Sequence, residues 1–246
     1  MKVLVAGGAG FIGSHTVEAL RGAGCLPVVV DNLSRGAYLP RPSFYRLDLL
    51  SFELKTVLQR ERPKVVIHLA AQVDVGLSVA DPLLDARENI LASLNLLQGC
   101  LAAGVAKVVF ASSAAVYGEP QRLPMDEGHP CQPTSPYGAA KLSVEHYLGV
   151  FRTLYGLEYT ILRYANVYGP RQSLLGEGGV VAAFCRRLAA GHGVKIYGDG
   201  EQTRDFVYVG DVARANVLAL GIATTVYVAI ALGVFGTLSV DEVVAS

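Results

Sequence analysis

The sequence predicts an α/β fold, a doubly wound parallel sheet with helices on both faces, and three observations carry that reading. Short apolar runs alternate with amphipathic stretches of helical length as far as about Asn166, the pattern of successive strand–helix–strand units. The runs "KVLVA", "PVVVD", "KVVIHLAA" and "AKVVFASS" are apolar almost throughout, as strands buried on both faces are. Cap residues and glycines fall at the junctions between runs rather than inside them.

Each element follows in order. "KVLVA" is a strand ended by glycines. Phe11–Ala23 has helical spacing of apolar residues, and Gly24 stops it. "PVVVD" and "SFYRLDL" are the second and third strands, and Ser51–Arg60 is a short amphipathic helix capped by Ser51 and closed before Pro63. "KVVIHLAA" is the fourth strand. Asp81–Ala103 reads as one long helix, with Asp81 as its cap and Gly104 just past its end. "AKVVFASS" is the fifth strand. Ser135 is an N-cap and Pro136 suits the first position of the helix after it. "EYTILRYANVYG" is a sixth strand running into a loop. Beyond it the pattern loosens, and "KIYGDGEQTRDFVYVGDVARA" suggests short strands leading into a helix at Asp211. The expected division is a sheet domain over 1–165 and a smaller, partial substrate-binding region over 166–246, interleaved with the sheet.

Composition narrows the function. A chain of 246 residues with 52% hydrophobic and 17% charged residues can bury a large core and is not a disordered segment. Lys and Arg total 21, as do Asp and Glu, so no overall field draws nucleic acid or an anionic membrane. An anionic ligand must be held by local groups. The cysteines, Cys25, Cys100, Cys131 and Cys185, are scattered, with no C-x-x-C and no His near a Cys at metal-ligand spacing; they read as reduced, mostly core thiols of a cytoplasmic protein without a metal site. The N-terminus lacks the apolar core of a signal peptide. Val217–Val240 is uncharged and long enough to span a membrane, yet glycines and threonines break it and "TVYVAI" reads as a strand. A buried strand and turn is the expectation there.

"VLVAGGAGFIGSH" sets Gly7, Gly10 and Gly13 three apart between a strand and a helix, with Phe11 and Ile12 among them. The first glycine serves the tight turn, the second lets backbone approach a pyrophosphate, and the third lets helix pack on strand. The helix N-terminus adds unpaired N–H groups. Asp31, eighteen residues past Gly13, can accept both hydroxyls of an adenosine ribose, with Asn32 beside it. This Rossmann-type arrangement points to NAD, since the carboxylate repels a 2′-phosphate, although Arg35 lies near. Asp48 and Leu49 are placed to touch the adenine, with a plain surface cap as the alternative for Asp48. Leu69, Ala70 and Ala71 end the fourth strand in small residues, where backbone can run beside a dinucleotide. His68 reads as a core histidine.

Tyr137 and Lys141 lie one helical turn apart. A hydride leaves a carbinol carbon only if the hydroxyl proton is also removed. A phenol with its usual pKa of about 10 is a poor base, and a neighbouring ammonium would lower that value. Ser112 and Ser113 end the fifth strand, where a hydroxyl could hold the substrate.

The stretches "GGAGFIGSH", "VDNLSRG", "HLAAQ", "LLDARENILASLNLL", "SSAAVYGEP", "SPYGAAKLSVEHYL", "LRYANVYGPRQ" and "RDFVYVGDVARA" cover most of Lys2–Leu220. In this order they resemble the extended short-chain dehydrogenase/reductases, and within them the UDP-glucose (UDP-galactose) 4-epimerases. The resemblance implies that Ser113, Tyr137 and Lys141 are catalytic, that Asn89 braces the cofactor region, and that Asn166 and Arg204 contact a nucleotide-sugar, a UDP-hexose. Arg171 is a weaker anion-binding candidate. It also implies transient oxidation at sugar C4 and a homodimer built from Asp81–Ala103 and Ser135–Tyr155. Ala114 and Ala115 stand where dehydratases of this kind carry an Asp–Glu pair. The chain ends at Ser246, short of such relatives, so an incomplete sugar pocket and an apolar patch covered by a partner are expected. The alternatives are another NAD-dependent enzyme on nucleotide-sugars, a dehydratase or reductase, and an NAD-binding protein without turnover.

Overall fold

The computed structural model describes residues 1–35, 38, 43–172, 179–196, 199–200, 203–221 and, by backbone alone, 227–230. Its main sheet has seven strands. They are β1 (Lys2–Ala6), β2 (Leu26–Asp31), β3 (Ser43–Arg46), β4 (Val65–His68), β5 (Lys107–Ser113), β6 (Glu158–Tyr164) and β9 (Tyr227–Ile230). Their order across the sheet is β3-β2-β1-β4-β5-β6-β9, and every neighbouring pair is parallel. Strand order reverses between β1 and β4, so the crevice beyond their carboxyl ends is the place where such sheets bind ligands.

Two layers cover the sheet because its strands are apolar on both faces. Leu4 and Ala6 of β1 join Leu54, Leu58, Leu96, Leu97, Val144 and Leu148 on one side; Val3 and Val5 join Val17, Leu20 and Val212 on the other. The first layer comprises α2 (Glu53–Glu61), α5 (Ala92–Ala103) and α6 (Pro136–Tyr155), and the second α1 (Phe11–Gly22) and α8 (Val209–Ala219). Residues from both ends of the chain therefore complete one layer. Helix ends match their signals. Ser135 Oγ accepts the Gly138 N–H at 3.1 Å, and Gly24 and Gly104 adopt φ of +73° and +69°, where a side chain would be strained.

Several expectations change. Asp81–Ala103 is not one α-helix: α4 (Pro82–Ala86) leads through a π-turn, Arg87–Leu91, into α5. Asp81 does cap it, accepting from Leu84 N at 2.9 Å. A short helix α3 (Val75–Ala80), capped by Asp74, precedes it, in a stretch too short to show a period. Helix α2 begins at Glu53, whose N–H bonds Ser51 Oγ at 3.2 Å, and α8 begins at Val209 rather than Asp211. Of the strands expected around 195–208, Phe206–Tyr208 forms β8 and pairs in parallel with β7 (Asn166–Tyr168). Among the described residues the remaining α-helix is α7 (Val180–Ala189). Only Cys100 of the four thiols is fully buried, and Cys185 is exposed. Among the described residues no helix is long and apolar enough to cross a membrane. "YVAI" is the strand β9, paired with β6; the apolar patch expected near the C-terminus lies outside the described residues.

Candidate active site

The glycine turn is built as its spacing requires. Gly7 takes φ +80°, and a Cβ there would sit 2.5 Å from Ala70 N, so β1 and the tail of β4 touch backbone to backbone. A Cβ on Gly13 would overlap the Gly7 carbonyl oxygen. Gly10 differs. Its φ is −77°, ordinary for any residue, and its Cβ would meet no protein atom closer than 3.4 Å. Neither its backbone conformation nor the protein atoms around it demand glycine at that point. Asp31 steadies the turn: Oδ2 accepts Ala9 N–H at 3.0 Å and Oδ1 accepts Leu33 N–H at 2.8 Å. Beside it Asn32 Nδ2 donates to Asp48 Oδ2 at 3.0 Å, while Asp48 Oδ1 accepts Leu50 N–H at 2.8 Å. Asp48 thus caps a turn and braces Asn32. Leu49 is buried next to it, and Phe11 and Ile12 open α1.

The π-turn places Asn89 under the tail of β4. Its Oδ1 accepts Gln72 N–H and its Nδ2 donates to Gln72 O, both at 2.9 Å. Nδ2 also donates to Asp85 Oδ1 at 2.8 Å. The backbone after Leu69, Ala70 and Ala71 is therefore pinned by a side-chain amide, and a π-turn at such a spot is a common sign of function. Asp85 is buried, and burial raises its pKa against the hydrogen bonds from Gln72 and Asn89.

Tyr137, Lys141 and Ser113 come together at the carboxyl end of β5. Gly138 makes this approach feasible, because a Cβ there would lie 2.5 Å from Ala115 O. The first turn of α6 thereby packs on the Ala114–Val116 turn that Ser113 caps through Ala115 N at 3.1 Å. The Ser113 hydroxyl neighbours the Tyr137 phenol and acts to lower its pKa. Lys141 is buried, donates to Ala111 O at 2.9 Å, and its Nζ stands 5.8 Å from the centre of the Tyr137 ring. One expectation is corrected here. Burial pushes the phenol up to about 12, and the neighbouring Ser113 hydroxyl only partly offsets this. The ammonium does not by itself bring the phenol into the physiological range. Burial instead lowers Lys141 to about 8, with Asp85 and Glu145 holding it up.

The second sheet joins the remaining candidates. Asn166 donates to Asp205 O through both its N–H and its Nδ2, at 3.0 Å each. This sets Asn166 beside the exposed Arg204, whose Nη1 donates to Thr203 O at 2.8 Å.

The sequence profile of the NAD dependent epimerase/dehydratase family fits residues 3–228. The chain belongs to that family. The chain is 44% identical over 230 residues to the UDP-glucose 4-epimerase of Mycolicibacterium smegmatis, covering 90% of this chain and 74% of that protein. The Thermus thermophilus UDP-glucose 4-epimerase, solved in complex with NAD, superposes with a TM-score of 0.93 at 45% identity, covering 100% of this chain and 81% of that one. The Thermotoga maritima UDP-glucose 4-epimerase, solved with UDP-glucose, gives 0.88 at 48% identity over 93% of this chain and 76% of that one.

As a member of an NAD dependent family, the chain has its Gly7–Gly13 turn, Asp31 and Asn89-braced β4 tail in the right order to hold that cofactor, and the open side of Gly10 fits it. Arg171 is committed elsewhere: Nη2 donates to Glu18 Oε2 at 2.6 Å and the guanidinium lies 4.4 Å from the Tyr38 ring centre. His68 is buried, with Nε2 on Ser93 Oγ at 2.8 Å. Burial, then the Lys141 charge, lowers it to about 3, so it stays neutral. Sequence reasoning missed Gln72, Asp85, Gly138 and Glu145. Only Gly138, a glycine inside a strong helix pattern, carried a signal that could have flagged it.

Proposed function

We propose that this chain is a nucleotide-sugar 4-epimerase of the UDP-glucose/UDP-galactose type. The observation that carries the reading is the Tyr137 phenol beside Ser113, one turn before Lys141, in a chain 44% identical to a UDP-glucose 4-epimerase. Gly7, Gly10, Phe11, Ile12, Gly13, Asp31, Asn32, Asp48, Leu49, Leu69, Ala70, Ala71 and Asn89 line the NAD site, with Tyr137 and Lys141 at its catalytic end. NAD bound there would supply a reversible hydride acceptor for the sugar C4–H bond.

The chain's own residues move the proton. Ser113 holds the sugar 4-hydroxyl against Tyr137, which takes its proton and later returns it to the C4 oxygen, after the keto sugar has turned over in the pocket to present its opposite face. The phenol starts high because it is held half-buried and short of water, so two cations, Lys141 and the oxidised nicotinamide, must favour the phenolate. Asn166 orients the nucleotide-sugar and Arg204 binds its diphosphate, for which a guanidinium is suited. Ala114 and Ala115 offer no acid for elimination, which favours epimerisation over dehydration.

The chain also pairs as a homodimer through α4–α5 and α6. Tyr147, Val150 and Leu154 are 40%, 48% and 63% exposed at a spacing that forms one stripe along α6. Supplying UDP-galactose and following UDP-glucose tests the activity. Interconversion supports the reading, a different sugar product replaces it with another family reaction, and retained NAD without turnover overturns it.

A further inference from the structure

Behind the Ser113–Tyr137 pair lies a buried polar network that no step above uses. Ser112 Oγ donates to Glu145 Oε1 at 2.5 Å. Arg163 Nε and Nη2 donate to Glu145 Oε1 and Oε2 at 3.0 and 2.6 Å, and Nη1 donates to Tyr117 Oη at 2.9 Å. The Glu145 and Arg163 side chains are 2% and 5% exposed. A buried ion pair adds little stability that a well-packed apolar pair would not. What it supplies is direction, because each oxygen accepts along a fixed line.

The direction runs toward the reaction centre. Tyr137, Lys141 and Glu145 recur every fourth residue on one face of α6. Each meets the tip of β5: Tyr137 at Ser113, Lys141 at Ala111 O, Glu145 at Ser112. On the far side Arg163 is the register partner of Ser112, and Tyr164 that of Ser113. Glu145 therefore ties α6, β5 and β6 at a single point one residue before the serine.

We infer that Glu145, held by Arg163, is a positioning residue that sets Ser113 against the Tyr137 phenol. The inference rests on the epimerase reading for its rate effect, but the placement itself is independent of turnover. Arg163 offsets most of the Glu145 charge. The charged groups facing the Tyr137–Lys141 pair are then Asp85 from α4 and Glu145 from α6, with His68 from β4 neutral.

Removing Glu145 alone strands a buried guanidinium and risks unfolding. Two gentler variants test the idea in NAD-loaded protein. Ser112→Ala cuts one rung and leaves the ion pair whole. Glu145→Leu with Arg163→Met replaces the pair with apolar volume. Both are expected to lower kcat for UDP-galactose with KM unchanged, the paired replacement by about 10²-fold, as a displacement of order 1 Å does. The ultraviolet titration of the phenol, taken as the difference from the same protein carrying Tyr137→Phe, is expected to move to higher pH as the Ser113 hydroxyl shifts away from the phenol. A wild-type kcat with an unmoved phenol titration in folded, NAD-loaded Ser112→Ala protein overturns the inference. So does a loss of NAD or a rise in KM with the titration unmoved, which would make the network purely structural. If wild-type protein turns over no UDP-galactose, the epimerase reading fails alone and the titration still decides the placement.

Discussion

Tyr137 and Lys141 show how burial and charge compete at one site. The phenol is pushed up to about 12 and the ammonium down to about 8, each by loss of water. A base held that high is useful only when cations gather around it, which is the condition that a bound oxidised nicotinamide creates. Tyr137→Phe removes the proposed proton acceptor while leaving the glycine turn intact. It is expected to keep NAD bound and to slow interconversion by at least about 10²-fold, and an unchanged rate would remove Tyr137 from the mechanism. Lys141 sets a second expectation with a definite sign. Its charge is present below about 8 and is lost as pH rises through that value. The kcat/KM profile is therefore expected to fall on the alkaline side of about 8, while Lys141→Arg, whose guanidinium cannot deprotonate in proteins, should flatten that limb even if its absolute rate is lower. A limb that survives unchanged in Lys141→Arg assigns it to another group.

At the scale of elements, what was legible in the sequence is what repeats. The strands announced themselves through unbroken apolar runs, and α1, α5 and α6 through their period and caps, because burial of a face leaves a regular mark. The glycine turn, Asp31 and the Tyr137–Lys141 pair were legible because their chemistry requires particular residue types at particular spacings. The π-turn at Arg87–Leu91 left no such mark. One extra residue in a helix is invisible to a 3.6-residue period, yet it is what turns Asn89 onto Gln72. The Asp85–Gln72 and Glu145–Arg163 contacts also escaped, since they join elements that only the fold brings together. Two glycines of the turn, Gly10 and Gly13, give an element-scale prediction. Gly13→Ala overlaps a backbone carbonyl and is expected to destabilise the fold, lowering Tm. Gly10→Ala meets nothing closer than 3.4 Å in the protein and is expected to leave Tm of the NAD-free protein near wild type while NAD is lost on purification. Equal effects on both quantities from both variants would mean that Gly10 serves packing rather than a ligand.

For the whole molecule the decisive question is which surfaces remain for a partner once the two layers have covered the sheet. Leu148 and Val144 turn inward from α6 to the core, whereas Tyr147, Val150 and Leu154 turn outward on the same helix. Leu83 and Leu91, at 83% and 54% exposed, lie on the α4–α5 segment, and α4 packs beside α6. An apolar stripe of this kind on a surface helix matches a second copy of itself, because a two-fold axis sets like residues against like. Its burial would supply the hydrophobic centre that stable interfaces need. Wild-type protein is therefore expected to have the mass of a dimer in light scattering. Val150→Glu with Leu154→Lys places charges in the middle of the stripe and is expected to yield a folded monomer. Both substituted side chains are solvent-exposed in the single chain, so loss of the dimer should cost the fold little. A wild-type monomer, or a double variant that stays dimeric, would show that α6 is not the contact.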